Sequence, residues 1–170
     1  MKIGIDATSL CRKITGIEYY TLNLVKNILK IDNKSDYIIF FRKEIHPELK
    51  QFEKKAKFLV SPINNQIFCE QIWIPYIVRG EKVELMHFPA FPPGLFSKKN
   101  YIFTIHDATV WKYSNTLSWK GKFYMKSLTT LGAKKSNKIL TVSENSKKDI
   151  SEYANISKNK IINTYESINE

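Results

Sequence analysis

Short apolar runs alternate along the chain with longer segments of helical periodicity. Runs such as IIF, FLV, LMHF and ILTV lack a regular polar alternation, which is typical of strands buried on both faces. Strands that alternate with helices predict an α/β domain with a mainly parallel sheet. The predicted strands are seven: Lys2 to Asp6, Tyr37 to Phe41, Lys57 to Ser61, Glu84 to Phe88, Tyr101 to His106, Lys138 to Val142 and Lys160 to Thr164.

The first crossover segment, residues 17 to 30, has apolar side chains at spacings of three and four, which predicts an amphipathic helix. The side chains expected to face inward are Ile17, Tyr20, Leu24, Ile28 and Ile31. A second apolar pattern precedes the fourth strand: Ile67, Phe68, Ile72 and Ile74. Pro75 follows it and is expected to kink or end that helix, because proline lacks a backbone N–H.

Two more helices are predicted in the carboxyl half. One runs from Ser118 to Lys135, with its lysines outward and four side chains expected inward: Phe123, Tyr124, Leu128 and Leu131. The other follows the sixth strand, where Ser143 can accept a first-turn N–H as an N-cap and Glu144 complements the helix dipole.

This order of elements predicts one domain over residues 1–170 with a doubly wound, Rossmann-like sheet in a three-layer sandwich. Ligands of such sheets bind beyond the carboxyl ends of the strands, at the point where the strand order reverses. The segments after strands one, four, five and six carry the unusual residues of this chain: ATSLCRKITGIEYY, PAFPPGLF, DATVWKY and SENSKKD.

Composition is that of a globular protein, with 43% hydrophobic and 25% charged residues. Cys11 and Cys69 lie far apart and outside any C-x-x-C pattern, so we expect reduced cysteines and a cytoplasmic location. The start, MKIGIDATSL, lacks the apolar run of a signal peptide, and no run reaches the length of a membrane span.

The net charge of +11 raises the question of an anionic partner. Of the 27 basic residues only three are arginine, the residue that nucleic-acid readers favour: Arg12, Arg42 and Arg79. We therefore expect a mostly solvated lysine surface, with peripheral contact to an anionic membrane as an alternative and no nucleic acid.

The loop after the first strand ends in Thr15 and Gly16, directly before a helix. A glycine there lets an anion approach exposed amides at the positive end of the helix dipole, so both residues are candidates for phosphate contact. The alternative is a glycine that only relieves a tight turn.

The fifth strand ends in His106 followed by Asp107, the best chemical candidates in the chain. A histidine at a strand's carboxyl end can bond to ligand oxygens or exchange protons near neutral pH, and Asp107 could orient it. The alternative is a histidine that caps a loop. Of the others, His87 is interpreted as a core residue and His46 as part of an exposed loop.

Phe91 lies in an aromatic and proline-rich loop after the fourth strand, which could hold an apolar or sugar-bearing ligand or simply cover the core. There is no G-x-S-x-G motif and no P-loop, so nucleophilic and P-loop chemistry are not indicated. The spacing of the three histidines indicates no metal site, and no cofactor is predicted.

Taken in order, seven segments resemble the amino-terminal domain of a GT-B glycosyltransferase of family 4, also called group 1: GIDATSL, TGIEYYTLNL, EQIWIP, ELMHFPAFPP, FTIHDATVW, SWKGKFY and KILTVSENSKKDI. The resemblance implies the acceptor-side half of a two-domain enzyme. Such enzymes move a sugar from a nucleoside diphosphate sugar to an acceptor hydroxyl with retention of configuration, usually without a metal. The donor-binding domain is expected beyond Glu170.

By the same resemblance, Gly16 corresponds to the glycine whose loop approaches the donor phosphates and His106 to the histidine beside the transferred sugar. Ser143 and Glu144 match a signature at the cleft edge, and Asp107 would act indirectly at most. Tyr19 departs from the pattern, because many relatives have a basic residue there. The family's E-x7-E motif belongs to the other domain, and the matching spacing of Glu144 and Glu152 is interpreted as coincidence.

The leading hypothesis is thus half of a retaining glycosyltransferase that acts in surface polysaccharide or glycolipid synthesis. A second hypothesis is a stand-alone carbohydrate or nucleotide binding module without catalysis. A third, a basic nucleic-acid binder, lacks any signature of the known nucleic-acid folds.

Overall fold

The computed structural model describes residues 1–11, 15–97, 100–112 and 119–166, and for residues 119–122 it describes the backbone alone. All seven predicted strands are present, with ends within two residues of the prediction. They are β1 Lys2–Asp6, β2 Asp36–Phe41, β3 Ala56–Val60, β4 Leu85–Phe88, β5 Tyr101–Thr104, β6 Lys138–Thr141 and β7 Ile161–Asn163.

The strands form one sheet in the order β3-β2-β1-β4-β5-β6-β7, and every neighbouring pair is parallel. The order reverses between β1 and β4, because the chain first moves outward to β3 and then returns to the other side of β1. This reversal is the switch point at which such sheets bind ligands.

Helices lie between the strands: α1 Gly16–Ile31, α2 Gln66–Phe68, α3 Ile74–Gly80, α4 Thr109–Lys112, α5 Trp119–Lys135 and α6 Glu144–Ala154. Short 3-10 turns follow β1, β2 and α6: Thr8–Cys11, Pro47–Phe52 and Lys158–Lys160.

Two hydrophobic clusters cover the two faces of the sheet. Successive residues of β2 divide between them, since Ile39 and Phe41 pack with α1 while Ile38 and Phe40 pack with α3 and β4. This division confirms the prediction of strands buried on both faces and of a three-layer, Rossmann-like sandwich.

The predicted inward face of α1 is wrong by a rotation of about one residue. Ile17 and Ile31 are exposed, and the buried residues are Glu18, Thr21, Leu22, Val25 and Leu29. The helix has aliphatic residues on two adjacent stripes, and the stripe that packs on β1 and β2 includes two polar residues. A pattern that counts only apolar residues selects the neighbouring stripe.

The inward face of α5 is also partly wrong. Leu128 is buried as predicted, but Phe123 is 73% exposed and Leu131 is exposed as well. Gly132, next to Leu131, packs against Pro93, where an added Cβ would lie 2.8 Å from the proline ring. Ser118, the predicted first residue, lies outside the described residues.

Pro75 does not end its helix. The helical path continues from α2 through a π turn, Cys69–Trp73, into α3, and Pro75 is the second residue of α3. Because a proline ring crowds the carbonyl four residues earlier, here in the π turn, the wider turn accommodates it. Of the four residues of that apolar pattern, Ile74 is buried, whereas Ile67, Phe68 and Ile72 are exposed.

Candidate functional site

The carboxyl ends of β1, β4, β5, β6 and β7 meet at one edge of the sheet because all strands are parallel. The segments that follow these strands carry most of the residues singled out by the sequence. This carboxyl edge, centred on the β1 to β4 reversal, is the candidate site.

His106 lies two residues beyond β5 and is held from two sides. Its Nε2 is 2.8 Å from the carbonyl oxygen of Pro89, and its ring meets the Tyr20 ring edge-on at 4.7 Å between centroids. A carbonyl can only accept, so Nε2 carries the proton of this hydrogen bond. The neutral imidazole therefore has an unprotonated Nδ1, which can accept a hydrogen bond from a ligand hydroxyl.

The Nδ1 atom of His106 is directed toward the segment after β7. Glu166 Oε1 lies 3.9 Å from it, and the Glu166 side chain is 58% exposed. Tyr165 immediately before it has a φ of 54°, a left-handed conformation that turns the chain at this point. The His106 side chain itself is 12% exposed, which leaves it within reach of a ligand.

Tyr20, in the first half of α1, completes this group. Burial raises the pKa of its phenol, and the nearby hydroxyls of Thr104 and Thr164 partly offset the rise. The sequence placed Tyr20 among the apolar core residues and did not single out Glu166. Both contact His106 across long separations along the chain, so local pattern carried no signal for either.

At the start of α1, Thr15 and Glu18 bond to each other. Thr15 is the N-cap and forms a capping box with Glu18, whose carboxylate accepts the Thr15 backbone N–H; the Thr15 hydroxyl also donates to this carboxylate. Gly16 has open space around it, since no atom lies within 4 Å of an added Cβ. Phosphate contact by Thr15 and Gly16 stays a prediction. The Glu18 carboxylate already compensates part of the positive charge at the start of the helix dipole.

Asp107 and Ser143 each accept a backbone N–H at the start of a helix, and Ser143 is the N-cap of α6. Asp107 Oδ1 accepts the backbone N–H of Thr109 at 2.7 Å, so the structure directs this carboxylate to the start of α4 rather than to His106. Ser143 Oγ accepts the N–H of Ser146 at 3.1 Å, which confirms the predicted N-cap of α6. Contact of either residue with a substrate stays a prediction.

Glu144 and Phe91 lie on the segments after β6 and β4. The Glu144 carboxylate accepts from the Asn163 amide at 2.9 Å, which ties the start of α6 to the end of β7. Phe91 is partly exposed in the loop between β4 and β5. Roles of Glu144 and Phe91 at the cleft stay predictions.

His87 is a core residue, as interpreted from the sequence. It is buried on β4, and its Nε2 is 2.8 Å from Thr104 Oγ1. Burial lowers the pKa of His87 to about 4, and the nearby His106 contributes in the same direction. His87 is therefore neutral near pH 7. His46 lies in a loop before the 3-10 turn Pro47–Phe52, as interpreted from the sequence; its own side chain is partly buried, whereas Glu44 and Pro47 beside it are exposed.

Asp6, the last residue of β1, was not singled out by the sequence as a site residue. It is 2% exposed, its Oδ1 accepts the N–H of Thr8 at 2.9 Å, and no described residue bonds to its Oδ2. Burial raises the pKa of this carboxyl to about 6, although the hydrogen bonds with Thr8 oppose the rise. A polar residue that ends an apolar strand was the available signal.

Two classes of site can be assessed within the described part of the chain. No three His, Cys, Asp or Glu side chains there are grouped as ligands of a metal ion would be. None of the described helices is both long and apolar enough to cross a membrane.

No family model and no curated protein matches the chain. Solved structures do match. The UDP-GlcNAc 2-epimerase from Methanocaldococcus jannaschii aligns with 96% of this chain at 15% identity, with a TM-score of 0.59. Alr3699/HepE of Anabaena, solved in complex with UDP and glucose, aligns with 99% of this chain at 12% identity and a TM-score of 0.61.

A glycosyltransferase from Rickettsia africae ESF-5 aligns with 99% of this chain at 15% identity, with a TM-score of 0.52. This chain spans less than half of each of the three structures, between 43% and 45% of their lengths. At such identities the likeness shows the fold. The chain has a Rossmann-like fold that matches one half of a GT-B fold.

Proposed function

We propose that this chain is the acceptor-side half of a glycosyltransferase that moves a sugar from a nucleoside diphosphate sugar to an acceptor hydroxyl, with retention of configuration. The observation that carries the proposal is His106, fixed by Pro89 and Tyr20 at the carboxyl edge. Its Nδ1 has no hydrogen bond to a described residue, and the exposed Glu166 carboxylate lies 3.9 Å away. The fold supports it, since solved proteins of this fold include a glycosyltransferase and a protein in complex with UDP and glucose.

His106 has a defined task in this proposal. When the ring is neutral, Nδ1 accepts a hydrogen bond from a hydroxyl of the donor sugar. When it is protonated, the same atom donates toward the departing diphosphate. Groups aimed at a developing charge accelerate such reactions mainly by electrostatic stabilisation, so a fixed ring orientation matters more than mobility.

The amides at the start of α1, around Gly16, are proposed to approach the donor phosphates, and the remaining phosphate contacts belong to a donor-binding domain encoded after Glu170. Transfer also needs that second wall, because one domain leaves the reacting groups in water. We therefore expect the 170-residue chain alone to transfer no sugar, whereas the full-length protein does.

The test uses the full-length protein with a panel of nucleoside diphosphate sugars, and it measures release of nucleoside diphosphate and the anomeric configuration of the product. We expect release from one donor and a product with retained configuration. Absence of release from every donor, or an inverted product, contradicts the proposal.

A second function is favoured by the likeness to the UDP-GlcNAc 2-epimerase. The same assay separates it, because an epimerase changes the configuration of the donor sugar without any acceptor. A binding module without catalysis would bind the donor and leave it intact.

We also propose a cytoplasmic enzyme that contacts the anionic inner face of a membrane through α5. The exposed Lys126 and Phe123 lie on this helix, and lysines near an anionic surface contribute about 1 kcal/mol each. The side chains of Lys120 and Lys122, which belong to the same prediction, lie outside the described residues. Sedimentation with anionic vesicles should exceed that with neutral ones, and equal binding to both contradicts this contact.

A further inference from the structure

Three of the buried polar atoms that have no partner among the described residues lie beside β1 at the carboxyl edge. None of the described residues bonds to Asp6 Oδ2, Ser9 Oγ or Gln66 Oε1, although all three atoms are buried. Asp6 and Ser9 are 2% and 1% exposed. Buried polar groups in folded proteins are nearly always bonded, so each such atom calls for an explanation.

Two of these side chains, Asp6 and Gln66, are held by their other polar atoms. Asp6 Oδ1 accepts the Thr8 N–H, and the Thr8 hydroxyl accepts from Gln66 Nε2 at 3.2 Å. The Gln66 amide also donates to the carboxylate of Glu70. This network joins the turn after β1 to the helix before β4. The unpartnered oxygens of Asp6 and Gln66 are therefore held in place.

The chemistry of these atoms selects a class of ligand. A carboxylate oxygen and an amide oxygen can only accept from an O–H or N–H group, and a serine hydroxyl can do either. The carboxylates of Asp6 and Glu70 would repel a phosphate. Among the described residues, Arg42 is the cation near these atoms. Its two terminal nitrogens bond to Asn64 O at 2.7 Å and Cys11 Sγ at 2.8 Å, and its buried Nε, which has no partner there, can donate to a hydroxyl oxygen.

We propose that Asp6, Ser9 and Gln66 form an acceptor subsite that binds the hydroxyl groups of a neutral, unphosphorylated sugar. The inference rests on the proposed function and names the substrate class of its acceptor side. β1 and β5 are two strand spacings apart, about 10 Å, so this subsite lies beside His106 without overlapping it. Asp6 and Ser9 act here as binding residues.

The test compares Asp6→Asn and Ser9→Ala with the parent in the full-length protein. Asparagine retains an oxygen for the Thr8 N–H and replaces the unpartnered oxygen by an NH2 group, so the variant isolates that one atom. Asp32→Asn is the matched control. Both oxygens of Asp32 are already bonded, to Lys34 N and Tyr37 Oη, and it lies at the opposite edge of the sheet.

Methyl glycosides of glucose, galactose and mannose serve as acceptor probes. We expect Asp6→Asn to raise the KM for the accepted glycoside at least tenfold and Ser9→Ala about fivefold. Donor KM and the release of nucleoside diphosphate without acceptor should change less than twofold. Unchanged acceptor KM in both variants, an equal loss of acceptor-independent release, or preference for glucose 6-phosphate over the neutral glycosides overturns the subsite.

Saturation-transfer NMR with the same glycosides needs no turnover, and it separates failure of this inference from failure of the proposed function. Binding to the parent and to Asp32→Asn, with loss in Asp6→Asn and Ser9→Ala, supports the subsite even when no donor is consumed. Absence of glycoside binding to the parent, or equal binding to the parent and both subsite variants, overturns it.

Discussion

The amino and carboxyl edges of the sheet differ in how their polar groups are hydrogen-bonded. At the amino edge, side chains bond to the starts of the strands: Glu84 accepts the exposed N–H of Lys2 at 2.7 Å, and Asn137 accepts the N–H of the buried Tyr101 at 3.0 Å. At the carboxyl edge, Asp6 and Ser9 each retain a buried atom without a described partner. The hydrogen bonds at the amino edge hold the strands together. At the carboxyl edge, the unpartnered atoms can bond a ligand, and leaving them unpartnered lowers the stability of the fold.

The largest expected effect is on activity at the carboxyl edge. His106→Ala in the full-length enzyme removes Nδ1 from the cleft, and we expect kcat to fall by roughly a hundredfold to a thousandfold, as for other groups that stabilise developing charge. Transfer kinetics and thermal unfolding of the same preparations provide the measurement.

His46→Ala is the control for that experiment, because His46 precedes a turn that packs against α1 and is not part of the proposed site. His106→Gln sharpens it, since glutamine can still donate to Pro89 O but has no atom equivalent to Nδ1 as an acceptor. Full activity in His106→Gln would show that His106 only holds the loop after β4.

Asp6 should make the carboxyl edge sensitive to pH. Its pKa is about 6 in the fold and about 3.9 in an unfolded chain, so ionisation favours unfolding. Relative to Asp6→Asn, the parent should lose up to about 3 kcal/mol of unfolding free energy as the pH rises from about 4 to about 6, and no more above that. Urea unfolding of both chains at several pH values measures this.

The contribution of His87 runs in the opposite direction. Its pKa is lowered to about 4, so stability is lost as the pH falls from about 6.5 toward 4. Because His87 is present in both chains, its contribution cancels in the difference between them. A difference that stays constant across this pH range would mean that Asp6 is not buried as an isolated carboxyl.

A smaller effect is expected at the amino edge, on stability alone. Asn137→Ala leaves the buried N–H of Tyr101 without its side-chain acceptor, which should cost about 1 kcal/mol. Activity should not change once the protein is folded. A loss of kcat without a loss of stability would contradict the separation of the two edges.

The smallest effect is expected from the partly exposed ion pair between Lys57 and Glu81, 2.6 Å apart. Exposed pairs contribute little because water and salt screen them, so Lys57→Ala should change the unfolding free energy by no more than about 0.5 kcal/mol. A clearly larger change that persists in high salt would show that this edge depends on charge pairing.

The fold was largely predictable because the strands are apolar on both faces, which leaves uninterrupted runs in the sequence. The buried faces of the helices were less predictable. In α1 the buried stripe includes Glu18 and Thr21, and polar residues that are satisfied by capping or by the backbone are invisible to a hydrophobic pattern.

The candidate site also contains residues that the sequence could predict and residues that it could not. His106 could be predicted because it lies only two residues beyond β5, so the edge it occupies is set by local sequence. Its neighbours Tyr20, Pro89 and Glu166 come from three other elements and meet it only through the order of the strands. Asp6 could be placed at the end of β1, but its unpartnered oxygen is a property of the folded environment.

The most direct test of a donor site at the carboxyl edge is a histidine NMR titration. The full-length protein, labelled with ¹⁵N at histidine, is titrated with nucleoside diphosphate sugars, and His→Gln variants at positions 46, 87 and 106 assign their ring signals. The account predicts that the productive donor shifts the His106 ring signals while those of His46 remain in place. Saturation with that donor without any change at His106 would contradict it.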